Sequence, residues 1–474
     1  MPPGMVLLDF IRYHQHLMGT KIGCNEGDCG ACTILIGEQT TRGMQYRSFT
    51  SCLTPLGNAH GKHIVTIEGI NTEEGGSPFP ASSKEGGSPS PLSPIQQAMC
   101  DESATQCGFC TPGFMVSLAG FCLSNAPATP QNAIAAVDGN ICRCTGYKSI
   151  ERAAARVAGL LQNRQEEDPI GFATNNNLLP AWFAGIGKRL ELLRLSLNGN
   201  GLQPGEATPP QIVGGGTDLY VQKHDAMHDA AIRFVLGDPA MKGISQQNNR
   251  CIIGPSATVS DLKESPLLQQ YFPQLNRHIS LVSSTPIRNM ATIAGNFING
   301  SPIGDFTIFF LALDAMLVLS DGAHTRELPL RQLYKGYKTL DKKPGEFIEQ
   351  IWFSLPGPGS RFNFEKVSKR TNLDIASVNT AMHIVTDGNT IREARLSAGG
   401  VGPIPLFLEK TSAFLKGKTL EEDNISGANA IAQTEISPIS DARGSEAYKR
   451  LLLSQLIKAH FITLFPALEF KKIA

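Results

Sequence analysis

The chain has 474 residues, a length typical of about three or four domains. Lys plus Arg and Asp plus Glu both number 42, so the net charge is zero and no basic surplus favours nucleic acid or an anionic lipid surface. Hydrophobic residues make up 41% of the chain, and no apolar run reaches the length of about eighteen residues that a membrane span needs. The start, MPPGMVLLDFIRYHQH, lacks the features of a secretory signal, so the sequence predicts a cytoplasmic protein.

Changes in composition divide the chain into segments of different character. Residues 1–70 predict a small α+β unit, and 71–94 is a Gly, Ser and Pro-rich linker with a near-duplicate, EEGGSPFP and KEGGSPSP. Residues 95–165 show helical periodicity with little strand signal, and 166–178 predicts a second, polar linker. Val- and Ile-rich strands alternate with helices over 179–356, and 357–474 predicts a smaller α+β domain ending in a helix. The predicted fold class is therefore multidomain α+β.

Eight of the eleven cysteines fall into two tight sets. The first set is Cys24, Cys29 and Cys32 in CNEGDCGAC, followed by Cys52, which is the C-x4-C-x2-C spacing of plant-type ferredoxins. Four soft thiolates suit two bridged ferric ions, and the neighbouring glycines let the loop curl around sulfur. A zinc knuckle is the alternative, although zinc sites usually combine two C-x2-C pairs.

The second set combines Cys107 and Cys110 in QCGFC with Cys142 and Cys144 in CRC. A C-x-C pair is poorly suited to chelating one tetrahedral zinc, but it can place two sulfurs on one iron or on neighbouring irons. A redox dithiol would need a βαβ context, whereas this region is predicted to be helical. We expect Cys100, Cys122 and Cys251, which lie outside both sets, to be small core residues.

The runs GTKIGCNEGDCGACTIL, QCGFCTPGF and CRC resemble the two iron–sulfur domains of the xanthine dehydrogenase and aldehyde oxidase group of molybdenum hydroxylases. The resemblance implies one 2Fe-2S cluster per set, the first on a β-grasp ferredoxin domain and the second inside a four-helix bundle. In that family a β-hairpin precedes the first helix, so the resemblance also implies a ferredoxin domain with its N-terminal hairpin missing. We expect extra N-terminal residues in the native protein.

Two Gly-rich stretches carry the remaining signals. IVGGGTDL could cradle a pyrophosphate on backbone N–H groups, and PIRNMATIAGNFINGSPIGDF offers small and hydrogen-bonding residues for a ligand, although ordinary turns and loops are the alternative. Both stretches resemble the FAD-binding signatures of the same family, whose flavin domain is of the p-cresol methylhydroxylase type, and FEKVSKRTNLDIASVNTAM and SAGGVGP extend the match. The resemblance implies diphosphate contacts and flavin-lining residues, which are Gly214, Gly215, Gly216, Thr217, Asp218, Thr292, Gly295, Asn296, Asp305 and Lys366.

The order of two iron–sulfur domains and a flavin domain resembles the small subunit of bacterial xanthine dehydrogenases. The resemblance implies an electron-transfer subunit that passes electrons from a molybdopterin-containing large subunit through two 2Fe-2S clusters to FAD and on to NAD. It further implies a heterotetramer with two copies of each chain, and no catalytic residue of the hydroxylation on this chain. A self-sufficient NADH:acceptor reductase and a flavin-free iron–sulfur scaffold are the alternative hypotheses.

Overall fold

The computed structural model describes residues 1–71, 92–164, 168–197 and 210–468. Most of the predicted linker at 71–94 therefore lies outside the described residues. The α-helices are α1 Leu7–Asp9, α2 Leu56–Ala59, α3 Pro94–Asp101, α4 Thr111–Cys122, α5 Pro130–Ala136, α6 Lys148–Leu160, α7 Pro169–Asn175, α8 Ile186–Leu197, α9 Leu219–Gln222, α10 His224–His228, α11 Val259–Glu264, α12 Pro266–Tyr271, α13 Leu275–Ser280, α14 Thr285–Arg288, α15 Ile293–Asn299, α16 Asp305–Ala312, α17 Leu330–Leu333, α18 Glu409–Leu415, α19 Glu422–Glu435 and α20 Glu446–Leu464.

The strands are β1 Thr33–Thr40, β2 Gly43–Thr50, β3 His63–Val65, β4 Gln211–Val213, β5 Ile232–Phe234, β6 Ile244–Gln247, β7 Arg250–Ile253, β8 Met316–Ser320, β9 Thr325–Pro329, β10 Tyr334–Gly336, β11 Thr339–Leu340, β12 Phe347–Ser354, β13 Ser360–Val367, β14 Val378–Asp387, β15 Thr390–Gly399 and β16 Leu406–Phe407. The chain forms two compact units. Unit 1 contains residues 1–234 and 284–290, and unit 2 contains residues 235–283 and 291–474.

Unit 1 begins with an antiparallel sheet in the order β2-β1-β3. The hairpin of β1 and β2 places Thr33 opposite Thr50, and Gly43 takes φ +96° at its tight turn, a conformation that favours glycine. An apolar cavity of about 480 Å³ lies beside β3, with Leu7, Phe10 and Leu190 in its wall. Whether further N-terminal residues complete this sheet stays a prediction.

The helical part of unit 1 is built from α3 to α7. Helix α6 buries Ile150, Ala153, Ala154, Val157 and Ala158, a spacing that places them on one face of the helix toward the core. Helix α3 begins with a capping box between Ser93 and Gln96. The mixture of a small sheet and helices agrees with the predicted α+β class.

The prediction of a linker over 166–178 was wrong, because this segment contains helix α7. Asp168 caps the helix by accepting a hydrogen bond of 2.8 Å from Gly171 N–H, and Pro169 occupies its first turn. Ala173 and Leu178 are buried in the core of unit 1. The polar composition of the segment concealed a short helix that is anchored by a few apolar contacts.

Unit 2 contains two larger antiparallel sheets. The first has the order β6-β7-β12-β8-β9, and the second has the order β13-β14-β15-β16. Helix α16 packs on β14 and β15, and Phe306, Phe309 and Phe310 are among its buried side chains. Beyond Asp305 and Thr307 every residue of α16 is apolar, which is typical of a buried helix. Helix α20 packs on β13 and β14, and it confirms the predicted C-terminal helix.

Two of the three cysteines outside the sets are buried as expected. Cys122 and Cys251 have 0% exposure. The expectation was wrong for Cys100, which is exposed on α3. On this short helix the core positions are taken by Ile95, Ala98 and Met99.

Candidate iron–sulfur and flavin sites

The β1–β2 hairpin positions two cysteines of the first set. Cys32 directly precedes β1, and Cys52 lies in the turn just after β2. Because Thr33 pairs with Thr50, both cysteines lie at the same end of the hairpin, and their Sγ atoms are 3.4 Å apart. The sheet register therefore brings together thiols that are twenty residues apart in sequence.

The loop before β1 gathers the other two thiols of this set. Cys24 Sγ accepts hydrogen bonds of 3.3 Å from the N–H groups of Glu26, Asp28 and Cys29. Gly27 takes φ +78°, which lets the loop curl around this sulfur. The Cys29 thiol and these N–H groups lower the pKa of Cys24 to about 5. The loop thus stabilises negative charge on sulfur.

The second set lies at the starts of two helices. Cys107 and Cys110 precede α4, and Cys142 and Cys144 precede α6. Cys144 Sγ lies 3.6 Å from Cys107 Sγ, and Cys142 is hydrogen-bonded to Cys110. The two cysteines of the CRC motif therefore belong to different thiol pairs.

Local polar groups also contact the sulfurs of the second set. Cys142 Sγ accepts hydrogen bonds from Thr145 N–H at 3.4 Å and from the Thr145 hydroxyl at 3.2 Å. Burial opposes ionisation, but these bonds leave the pKa of Cys142 below its ordinary value. Cys107 and Cys144 are exposed, so one edge of this set faces solvent.

Each set fits a two-iron cluster by the chemistry of its donors. Both contain four cysteine sulfurs in two contacting pairs, and soft thiolates are the ligands of 2Fe-2S centres. N–H groups directed at sulfur are typical of such sites. Within the described ranges, no three His, Cys, Asp or Glu side chains are arranged to hold a single metal ion.

The first flavin signature, Gly214–Asp218, lies in unit 1 between β4 and α9. Gly216 takes φ +82°, and a Cβ on Gly215 would overlap the carbonyl oxygen of Met290. Asn58 donates a hydrogen bond of 2.8 Å to Gly214 O. Only glycine fits at positions 215 and 216, so the backbone there carries no side chains, as a diphosphate cradle requires. Neither Asn58 nor Met290 could be identified as a site residue from sequence, because both reach the turn through tertiary contacts.

The part of the second flavin signature that follows Met290 lies in unit 2. The Thr292 hydroxyl caps α15 by accepting a hydrogen bond of 3.1 Å from Gly295 N–H. Asn296 Oδ1 accepts a hydrogen bond of 3.1 Å from Thr307 N–H at the start of α16. These bonds fix the segment that connects α15 to α16.

Asp305 is the centre of a largely buried charge network in the same unit. Its Oδ2 lies 2.7 Å from Lys366 Nζ, and its Oδ1 accepts a 2.5 Å hydrogen bond from Asn379 Nδ2. The Lys366 side chain is only 2% exposed, and Asn379 Oδ1 is buried without a protein partner. The structure therefore brings together Asp305 and Lys366, which are far apart in sequence, and it adds Asn379.

Each of the two signatures has residues of the kind that bind FAD, and each is described here within its own unit. Unit 1 supplies a glycine turn with an accessible backbone, and unit 2 supplies a cation, a carboxylate and an amide oxygen that has no partner. None of the described helices has both the length and the apolarity needed to cross a membrane.

Four domain families match the chain in sequence order. They are a 2Fe-2S iron–sulfur cluster binding domain at residues 1–57, a 2Fe-2S binding domain at 66–155, an FAD binding domain in molybdopterin dehydrogenase at 204–356 and a CO dehydrogenase flavoprotein C-terminal domain at 364–464. These matches define an iron–sulfur flavoprotein, and they support the predicted cofactors, two 2Fe-2S clusters and FAD.

The chain is similar to xanthine dehydrogenases and to an aldehyde oxidase. The chain is 28% identical to xanthine dehydrogenase of Emericella nidulans over 88% of its length, which is 34% of that protein. It is 26% identical to xanthine dehydrogenase 1 of Arabidopsis thaliana and 25% identical to aldehyde oxidase 4 of Mus musculus, in each case over 96% of the chain and 38% or 37% of the relative. The chain thus spans just over a third of these relatives.

Solved structures agree at the level of the fold. The carbon monoxide dehydrogenase from Hydrogenophaga pseudoflava matches 53% of this chain and 88% of its own, with a TM-score of 0.51 and 24% identity. The reconstituted CO dehydrogenase from Oligotropha carboxidovorans matches 52% of this chain and 87% of its own, with a TM-score of 0.50 and 24% identity.

Proposed function

We propose that the chain is the electron-transfer subunit of a xanthine dehydrogenase, which passes electrons from a molybdopterin-containing large subunit to NAD. The presence of two four-thiol sets and two FAD signatures on one chain supports this function. The proposed complex is a heterotetramer in the cytoplasm. When bound, the clusters supply one-electron transfer and FAD supplies the exchange between single electrons and a hydride.

In this proposal the cysteine pairs are the iron ligands. Cys24 with Cys29, and Cys32 with Cys52, would each hold one iron of the first cluster. Cys107 with Cys144, and Cys110 with Cys142, would do the same in the second. The contacts between the sulfurs of these pairs support this division. Backbone N–H groups and Thr145 would stabilise the charge on sulfur.

The flavin residues have separate proposed roles. Gly214, Gly215, Gly216, Thr217 and Asp218 would bind the diphosphate through their backbone and short side chains. Thr292, Gly295, Asn296 and Asp305 would line the FAD. Lys366 would contribute a fixed positive charge, because Asp305 keeps its ammonium group paired inside the protein.

Iron and sulfide analysis of the purified chain tests the metal part of this proposal. We expect about four irons and four inorganic sulfides per chain, and two distinct EPR signals after reduction with dithionite. Stoichiometric zinc with little iron would contradict the proposal. As matched variants, Cys32→Ala should remove one signal and Cys110→Ala the other, whereas Cys122→Ala and Cys251→Ala should leave both.

Acid precipitation tests the flavin part. No His, Cys or Tyr lies within the two signatures, so we expect one FAD that is released into the supernatant. Flavin that stays with the pellet would contradict a non-covalent site. A purified chain with both EPR signals but without flavin would favour the iron–sulfur scaffold instead.

A further inference from the structure

We propose that one backbone hydrogen bond couples the two cysteine sets electronically and that Asn140 is the positioning residue that maintains it. The bond runs from Ile141 N–H to Cys29 O, with a distance of 2.9 Å. This inference rests on the proposed function, because it assigns the path between the two sets.

The bond joins the two sets directly. Cys29 is itself a member of the first set, and Ile141 directly precedes Cys142 of the second set. A path from the Cys29 sulfur to the Cys142 sulfur therefore crosses one hydrogen bond and otherwise only covalent bonds. Because electronic coupling decays more slowly through bonds than through space, such a path favours electron exchange between the sets.

Asn140 binds both sides of this bridge. Its Nδ2 donates hydrogen bonds to Gly30 O at 3.0 Å and to Thr33 Oγ1 at 3.3 Å. Its Oδ1 accepts a hydrogen bond of 2.7 Å from the hydroxyl of Ser117 on α4. The residue is 5% exposed, so water competes little for these bonds. One amide group thus connects the first cysteine loop, the CRC segment and the helix that follows Cys110.

Two glycines let these segments come close enough to bond. A Cβ on Gly30 or on Gly113 would overlap backbone of the facing segment, at Gly139 O and Gly30 O respectively. Larger residues would have to separate the loops, so the close approach is a property of this part of the fold.

EPR spectroscopy of the dithionite-reduced full-length protein tests the proposal. In the wild type we expect the two signals to show a mutual spin–spin splitting. Asn140→Ala should keep iron and sulfide at wild-type content but reduce this splitting several-fold. As a control, Asn429→Ala removes a buried asparagine that bonds Ser454 in unit 2, and it should leave the splitting unchanged.

A pair of glycine variants tests the bridge without removing Asn140. Gly113→Ala places a methyl group against Gly30 O and should also reduce the splitting, whereas Gly159→Ala lies on α6 with no atom nearby and should have no effect. Unchanged splitting in both Asn140→Ala and Gly113→Ala, at full iron content, would overturn the inference. If the Asn140→Ala protein does not assemble its iron, the comparison of Gly113→Ala with Gly159→Ala tests the inference. A wild type without iron would instead refute the proposed function.

Discussion

Asp305 and Lys366 illustrate how much depends on single charged residues in unit 2. The ion pair is largely buried, and Asn379 holds the carboxylate from the other side. Removing one partner of a buried pair leaves the other charge without compensation. The pair therefore has both a structural and a proposed flavin-binding role, and the two roles can be measured separately.

We predict that Asp305→Asn destabilises unit 2 by about 3–5 kcal/mol, because Lys366 then remains buried without a counter-charge. Urea unfolding in a Trp182→Phe background measures this change, since Trp352 then reports only on unit 2. Asp387→Asn is the control within unit 2, because its pair with Arg392 is exposed and should contribute at most about 1 kcal/mol. The variant should also lose FAD more readily while it keeps both EPR signals. Equal effects of the two variants would contradict the prediction.

Buried histidines make the stability of unit 2 dependent on pH, and two of them share the same partner, Asn363. His278 Nε2 bonds Asn363, and His460 bonds both Asn363 and Thr380. Burial lowers the pKa of His278 to about 4 and that of His460 to about 3, from an ordinary value of 6.5. Below pH 6.5 the unfolded chain therefore binds protons that the folded chain excludes, so acid favours unfolding.

We predict that the free energy of unfolding of unit 2 decreases as pH falls from 6.5 to about 4. Each histidine can contribute a slope of up to about 1.4 kcal/mol per pH unit. Urea midpoints read from Trp352 in the Trp182→Phe background at successive pH values measure the slope, and His460→Gln should make it shallower. A slope that is identical in wild type and variant would show that His460 stays charged or exposed.

At the scale of elements, the spacing of the cysteines predicted the two sets because local sequence determines ligand loops. The division of the second set into Cys107 with Cys144, and Cys110 with Cys142, was left open by the sequence, because it depends on how α4 and α6 pack. Helix α7 had a readable signal in Asp168–Pro169, an N-cap followed by proline. The polar composition of 166–178 conceals this signal.

The sequence does not show that helix α14 belongs to unit 1, because tertiary contacts determine which unit contains it. Its neighbours in sequence belong to unit 2, but residues 284–290 belong to unit 1. Asp138 accepts a hydrogen bond of 2.7 Å from Thr285 N–H and forms a buried ion pair with Arg288. Asn289 Nδ2 donates to Ser48 O at 2.9 Å. The segment thus contacts the sheet and the helical part of unit 1.

We predict that Arg288→Gln destabilises unit 1 by about 3–5 kcal/mol, because the Asp138 carboxylate is 8% exposed and would lose its counter-charge. Urea unfolding in a Trp352→Phe background, where Trp182 reports on unit 1, measures the effect. The matched control is Arg152→Gln, whose pair with Glu102 is exposed and should contribute at most about 1 kcal/mol. A cost below that of the control would rule out an important role for the Asp138 pair.

At the scale of the whole molecule, the proposed function separates the chemistry between two chains. Inserting oxygen from water into a C–H bond needs a centre that activates hydroxide, whereas thiolate-bound irons and a flavin signature provide for electron transfer. The second cysteine set has a solvent-facing edge formed by Cys107 and Cys144, next to Phe109, which is 46% exposed. We expect this edge to face the molybdopterin-containing partner.

We predict that the purified chain reduces artificial dyes with NADH but does not oxidise xanthine until the partner subunit is added. In the complex, Phe109→Asp should strongly slow xanthine-driven dye reduction, because a charge at the edge beside Cys107 would disturb contact with the partner. It should leave the NADH-driven reaction of the same protein unchanged, since that reaction does not need the partner. Ile134→Asp, an exposed position on α5, is the matched control and should alter neither reaction. Xanthine oxidation by the pure 474-residue chain, without molybdenum or a second polypeptide, would overturn the assignment.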